Sequence, residues 1–298
     1  MTDLDLDVRW FAGARSRRGR GASPIQVHRA APDTVILRQS ITDNYEAPFL
    51  YLLFGKDRAL LLDTGATADA TTFPLRETVD ALIEAWLLDQ PNAAFELIVA
   101  HSHAHGDHVA GDGQFADRPG TRVVGHSVGD VAGFFGLDDW PHGAAELDLG
   151  GRVLDVIPTP GHHPSSVTIY DPITGALLTG DTVYPGRLYV RDFPSFEASI
   201  DTLCAFSAEH PVKAVLGAHI EMPTQPFGDF PLGSTWHPDE APLPLTVRDL
   251  HAIRDAAAAV ANRPGAHRFS NFIIWNGPCR LESAVHFGRL LLFRLCRR

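Results

Sequence analysis

The chain is short of cysteine, of basic charge and of long apolar runs. Its three cysteines, Cys204, Cys279 and Cys296, are odd in number and far apart. They supply neither a disulfide framework nor a CxxC metal pair, which fits a reducing compartment. Met1 to Asp7 is acidic and lacks the apolar stretch of a signal peptide. No apolar run is long enough to span a bilayer, so a cytoplasmic protein is expected. Lys and Arg number 25 against 36 Asp and Glu, a formal charge of −11. That balance argues against nucleic acid as a partner, because such binding leans on cationic contacts to phosphate. A small-molecule substrate is the expectation.

What remains is ordinary globular material: 45% hydrophobic and 20% charged residues, enough for a sizeable core. Residues 1–25 carry the basic run Arg15-Ser16-Arg17-Arg18-Gly19-Arg20-Gly21 and read as a mobile arm. Residues 26–298 read as one domain with a C-terminal helical extension from about residue 245.

Histidine is where the sequence becomes specific. The apolar strand Phe95 to Ala100 runs into His101-Ser102-His103-Ala104-His105-Gly106-Asp107-His108. Imidazole and carboxylate are good ligands for Zn²⁺ and similar dications. Residues two apart on an extended segment share a side, so His103 and His105 can hold one ion. Gly106 lets the chain turn, so Asp107 and His108 can address a second. A solvated polar loop is the alternative, and such a dense cluster argues against it.

Elsewhere, strands are expected at Thr34–Gln39, Phe49–Phe54 and Ala59–Leu62, the last ending in Asp63-Thr64-Gly65. Asp63 there suits an Asx turn or support of the metal loops. Helices are expected at Phe73–Leu88, Asp107–Phe115, Ser127–Phe135, Ser195–Glu209 and Leu245–Asn262. Further strands are expected at Thr121–Val124, Arg152–Ile157, Ser166–Tyr170, Ala176–Thr179, Val212–Leu216 and Arg268–Trp275. Three of these end at new candidate ligands: Pro160-Gly161-His162-His163, Gly180-Asp181 and Gly217-Ala218-His219. His126, Trp140 and His142 sit where they could touch substrate or simply pack. Residues 220–244 form a long aromatic loop, a candidate lid or wall. The tail from Ala284 is apolar and basic, suited to a packed terminal helix, a membrane-surface helix or the face of a homodimer.

Ser102-His103-Ala104-His105-Gly106-Asp107-His108 resembles the HxHxDH signature of the metallo-β-lactamase-fold hydrolases. The ordered series of later strand-end ligands extends the resemblance over about residues 34–220. It implies a four-layer αββα sandwich, with two mixed β-sheets inside and helices on the outer faces. It also implies a dinuclear centre of two Zn²⁺, with Mn²⁺ or Fe²⁺ as substitutes. His103, His105 and His162 would hold the first ion, with His163 as the substitute for His162. Asp107, His108 and His219 would hold the second, and Asp181 would bridge. A shared water could then ionise near neutral pH and attack an ester, thioester or lactone carbonyl. Asp107 would orient that hydroxide, and Tyr184 resembles the tyrosine that related lactonases place near the substrate carbonyl.

Within the family the chain looks closest to glyoxalase II-like thioesterases and lactonases. β-Lactamases of this fold carry Cys or Ser where Asp181 stands, and flavodiiron relatives carry Glu where His105 stands. The thioesterase branch recognises glutathione with C-terminal basic residues. Arg254, Arg263 and Arg268 lie in that region without matching a motif. A mononuclear iron oxygenase resembling persulfide dioxygenases, and a non-catalytic metabolite sensor, are the alternatives.

Overall fold

The computed structural model describes residues 2–14 and 23–277. The basic run at Arg15–Gly21 and the tail from Ala284 lie outside the described residues. In chain order the first half holds β1 (Ile25–Ala31), β2 (Thr34–Gln39), β3 (Phe49–Phe54), β4 (Arg58–Leu62), α1 (Leu75–Asp89), β5 (Glu96–Ala100), α2 (Gly106–Val109), β6 (Thr121–Val123) and α3 (Val128–Phe135). The second half holds β7 (Ala145–Asp148), β8 (Val153–Pro158), β9 (Val167–Asp171), β10 (Ala176–Gly180), β11 (Arg187–Tyr189), α4 (Phe193–Glu209), β12 (Ala214–Gly217), β13 (Pro244–Leu245), α5 (Val247–Val260), β14 (Ala266–Arg268) and β15 (Ile273–Trp275).

The strands pair into two six-stranded sheets, ordered β1-β2-β3-β4-β5-β6 and β13-β12-β10-β9-β8-β7. Both are mixed: β4, β5 and β6 run parallel in the first, and β10 runs parallel to β12 in the second. Strand alternation explains how they stack. Phe49, Tyr51 and Leu53 of β3 enter the core between the sheets, while Leu50, Leu52 and Phe54 face α1. On β10, Ala176 and Leu178 face inward, and Leu177 packs outward with α4 and α5. A strand covered on both faces needs apolar residues at every position, which is why these segments read as unbroken hydrophobic runs. The result is the expected αββα sandwich.

One buried cation fastens the two sheets at the end remote from the ligand loops. Arg152 is 2% exposed. Its guanidinium donates to the carbonyls of Asp33 (2.6 Å) and Phe54 (3.1 Å) and to Thr34 Oγ1 (2.8 Å), beside the first sheet. It also pairs with Asp171 of β9 at 2.6 Å.

Three expectations need correction. Residues 2–14 form no mobile arm: Leu4, Leu6 and Val8 pack on the inter-sheet core, and Trp10 meets the Phe49 ring edge-on at 4.9 Å. Alternate apolar residues in an acidic segment caused the misreading. The helix expected over 107–115 stops at Val109 and continues as a 3₁₀ turn, Asp112–Gln114. Gly111 and Gly113 weaken the helix there, and an added Cβ on Gly111 would lie 2.4 Å from the Thr64 carbonyl oxygen. The strand expected over Arg268–Trp275 is a hairpin, β14 and β15. With β11 it forms a small third sheet that the sequence did not announce.

Removing Arg152 leaves the Asp171 carboxylate buried without its guanidinium. Arg152→Ala is expected to lower the unfolding free energy by about 3–5 kcal/mol in urea or guanidinium titrations. A loss under about 1 kcal/mol would show that the clamp contributes little to stability.

Candidate metal centre

β5, β8, β10 and β12 all end at one rim of the sandwich, and the loops that follow them carry the candidate ligands. Two glycines let these loops close in. Gly161 has φ +137°, and a Cβ there would lie 2.6 Å from the Phe196 backbone nitrogen. Gly180 has φ +51°, and its Cβ would lie 2.5 Å from the Ser102 Cβ. Each precedes a ligand, His162 and Asp181, so neither position tolerates a side chain without moving the ligand.

Two sets of side chains converge. His103, His105 and His162 form the first, with His105 Nδ1 2.9 Å from the Nε2 atoms of both His103 and His162. Asp107, His108, Asp181 and His219 form the second. There the His219 Nε2 lies 3.4 Å from Asp107 Oδ2 and 3.3 Å from Asp181 Oδ1. Asp181 faces both sets: Oδ1 is 3.6 Å from His108 Nε2, while Oδ2 is 3.5 Å from His162 Nε2. His163 stays outside. Its ring is held by Ser165 and meets the His105 ring edge-on at 4.9 Å.

The other imidazole nitrogens are tied down, which fixes the tautomers. His162 Nδ1 donates to the Tyr189 carbonyl at 2.8 Å, and His219 Nδ1 donates to the Glu46 carbonyl at 2.9 Å. Asp63 is a hub: it accepts from Ser102 N (2.7 Å), Ser102 Oγ (2.8 Å) and His108 Nδ1 (2.9 Å). Both readings of Asp63 meet here, since it bonds backbone and supports a ligand. Each Nε2 so freed points into the centre.

The donor set fits a pair of dications. Asp181 Oδ1 is buried with no hydrogen-bond partner, a costly orphan unless a cation meets it. Imidazole nitrogens facing one another at 2.9 Å are likewise the arrangement of ligands around an ion.

The two sets differ in charge. Burial pushes His103 well below its ordinary value and also lowers His105 and His162. Burial opposes charge on His108 and His219 too, but carboxylates outweigh it. Asp63 and Asp181 hold His108 well above its ordinary value. Asp181 and Asp107 raise His219 to about 9. Burial would raise both carboxyls, but hydrogen bonds from His108 and His219 hold Asp107, and the charge of His219 and His108 holds Asp181, below the usual carboxylate range.

A model of the metallo-beta-lactamase superfamily matches residues 46–223, more than half of the chain. The chain belongs to the metallo-beta-lactamase superfamily. Among curated members, a hydroxyacylglutathione hydrolase of Anaeromyxobacter dehalogenans is 39% identical over 34% of this chain and 42% of its own length. One of Acidiphilium cryptum is 30% identical over 63% of this chain and 74% of its own. The chain thus spans under half of the first relative and about three-quarters of the second. A solved metallo-beta-lactamase of Erythrobacter litoralis aligns with TM-score 0.52 at 15% identity, covering 80% of this chain and 98% of its own, a likeness of fold.

Beside the superfamily's ligand loops lies an open cavity of about 270 Å³. Its lining includes residues with no signal in the sequence: Glu46, Tyr189, Arg191 and Glu221 come from loops and the edge of the small third sheet. Tyr184 lines it as well, but its hydroxyl donates to the Arg187 carbonyl and lies 3.2 Å from Glu221 Oε2. One hydroxyl has one proton, so in this arrangement Tyr184 is no oxyanion donor; its ring packs against His219 at 5.6 Å. Trp140 packs partly on the inter-sheet core, and His126 turns to Asp112. The 220–244 loop is anchored rather than loose. Glu240 pairs with Arg38 at 2.6 Å, Asp229 pairs with Arg187 at 2.9 Å, and Leu232 reaches the cavity.

The charge difference has a measurable consequence. Near pH 7.5 the metal-free first set is unprotonated, whereas His108 and His219 carry protons that an ion must displace. Calorimetric zinc titration in buffers of different ionisation enthalpy should show little proton release at the first set and about two protons at the second. Second-set affinity should fall as pH drops below about 9. Equal proton release in both steps would contradict the assigned charges.

Proposed function

We propose that the protein is a dinuclear metal-dependent hydrolase of activated acyl compounds, with thioesters the first class and lactones and esters next. The observation that carries this reading is Asp181, whose two oxygens face the two ligand sets. The names of the curated relatives, hydroxyacylglutathione hydrolases, support a thioester.

When bound, such an ion pair lowers the pKa of a water to about 7 and polarises a carbonyl oxygen. The chain's own residues do the rest. Asp107, part exposed at the cavity floor, orients the attacking water and holds its proton. Asp63 keeps His108 in the tautomer that presents Nε2. The packed rings of Tyr184 and Tyr189 and the Leu232 side chain shape the wall against which the acyl group rests. Arg191, exposed at the mouth, offers a positive charge to an anionic portion of the substrate. A mononuclear oxygenase would have no use for the Asp107, His108 and His219 cluster.

Asp181→Asn keeps the shape of the side chain and removes its charge. Measured on an S-acyl-glutathione, a lactone and an aryl ester, it should lower kcat by roughly 10³-fold, with metal lost from the dinuclear centre. Wild-type protein with its dinuclear centre filled yet inert toward all three acyl classes would overturn the proposal.

A further inference from the structure

We propose that His101, Asp112 and His126 form a third metal site, separate from the dinuclear centre, for a transition-metal dication of the Zn²⁺ type. Three elements supply it. His101 follows β5, Asp112 opens the 3₁₀ turn and His126 follows β6.

The geometry is convergent. His101 Nε2 lies 2.8 Å from Asp112 Oδ1, and His126 Nε2 lies 2.7 Å from Asp112 Oδ2. All three ligand atoms fall within 4.8 Å of one another. The two rings stand edge to face with centroids 5.0 Å apart, so both nitrogens address one carboxylate from different directions. Two imidazoles and a carboxylate are a ligand set for Zn²⁺ that leaves a position for water. His101 is buried while the His126 side chain is 44% exposed, which gives an ion a path in from solvent.

The charge pattern supports an ion. Asp112 is mostly buried, at 19% side-chain exposure, and its ion pairs are with the two imidazoles. A dication there would meet a buried carboxylate from both imidazole sides. A metal-free network, in which each imidazole donates a proton to Asp112, is the competing arrangement.

The triad connects to the dinuclear centre through Thr64. Its hydroxyl donates to Asp112 Oδ1 at 2.7 Å, and its backbone N–H donates to the His108 carbonyl at 2.7 Å. His126 contributes nothing to either catalytic ligand set, so the triad can be emptied without touching them.

The test is zinc stoichiometry by equilibrium dialysis and elemental analysis on the full chain, with Co²⁺ absorption as a second readout. Wild-type protein should bind about three equivalents, and His126→Ala about two, with turnover unchanged. Asp112→Asn should lose the same equivalent, and thermal melting of both variants checks that they are folded. Saturation of wild type at two equivalents, or retention of the third in either folded variant, overturns the site. The readout is the difference of one equivalent between wild type and variant. It therefore stands apart from whether the protein hydrolyses acyl compounds.

Discussion

A carboxylate buried with one oxygen left unpartnered is the constraint from which the rest of this site follows. Asp181 sits between two clusters of imidazole, 7% exposed, and its buried Oδ1 has no well-formed hydrogen bond, the nearest His219 and His108 nitrogens standing 3.3 and 3.6 Å away. Such a group is tolerated only where positive charge is supplied. In the metal-free protein that charge falls on His108 and His219, which the carboxylates hold protonated. His103, His105 and His162 remain neutral because burial dominates there. The centre is thus two half-sites of different charge joined by one carboxylate. Two dications satisfy it where protons do so only in part.

Holding those groups in place requires the rim to be rigid, and Asp63 is where the rigidity is concentrated. It adopts φ +72°, an unfavourable conformation for a residue with a side chain. From there it binds the Ser102 backbone and hydroxyl and the His108 ring. The ends of β4 and β5 are therefore locked together at the point where the ligand loop departs. The same hydroxyl of Ser102 lies 3.2 Å from His103 Nδ1, so one carboxylate orients a ligand in each half-site. Strain in one residue is offset by the hydrogen bonds that surround it.

The ligands were legible in the sequence because each stands at the end of an apolar strand, and strand ends of paired sheets meet at a rim. The choice of His162 over His163 came instead from the family resemblance, and the structure turns the first inward and the second toward Ser165. The strand-end logic failed where position depends on contacts distant in sequence. Glu46 and Tyr189 hold ligands through backbone carbonyls, which leave no mark on residue type. Tyr184 has a tyrosine's chemistry, but its orientation is set by Arg187 and Glu221, and no local pattern reports that. The acidic N-terminus hid an alternating apolar edge because charge dominated its composition. Likewise His101 belongs to the dense histidine run in sequence, whereas in space it groups with Asp112 and His126.

Charge at the cavity mouth constrains which substrates the proposed acyl chemistry would accept. A glutathione thioester is anionic, and its carrier half calls for cations. Two of the C-terminal arginines named for that purpose are engaged elsewhere among the described residues: Arg254 pairs with Asp255 at 2.9 Å, and Arg268 with Asp229 at 2.9 Å. Among the described residues, Arg191 is the sole Arg or Lys lining the cavity, against Glu46 and Glu221 at the mouth and Asp107 and Asp181 among the ligand sets. Burial pushes the Glu46 carboxyl up, toward its neutral form, and Glu221 is neutralised by Arg187 at 2.7 Å. The mouth is therefore close to balanced, with its free positive charge on one exposed side chain. A substrate with one anionic group near the scissile carbonyl suits that arrangement better than one with several. Under the proposed acyl chemistry, the ligand sets of Asp181 would hold the ions that polarise the carbonyl, and Arg191 would select what is attached to it.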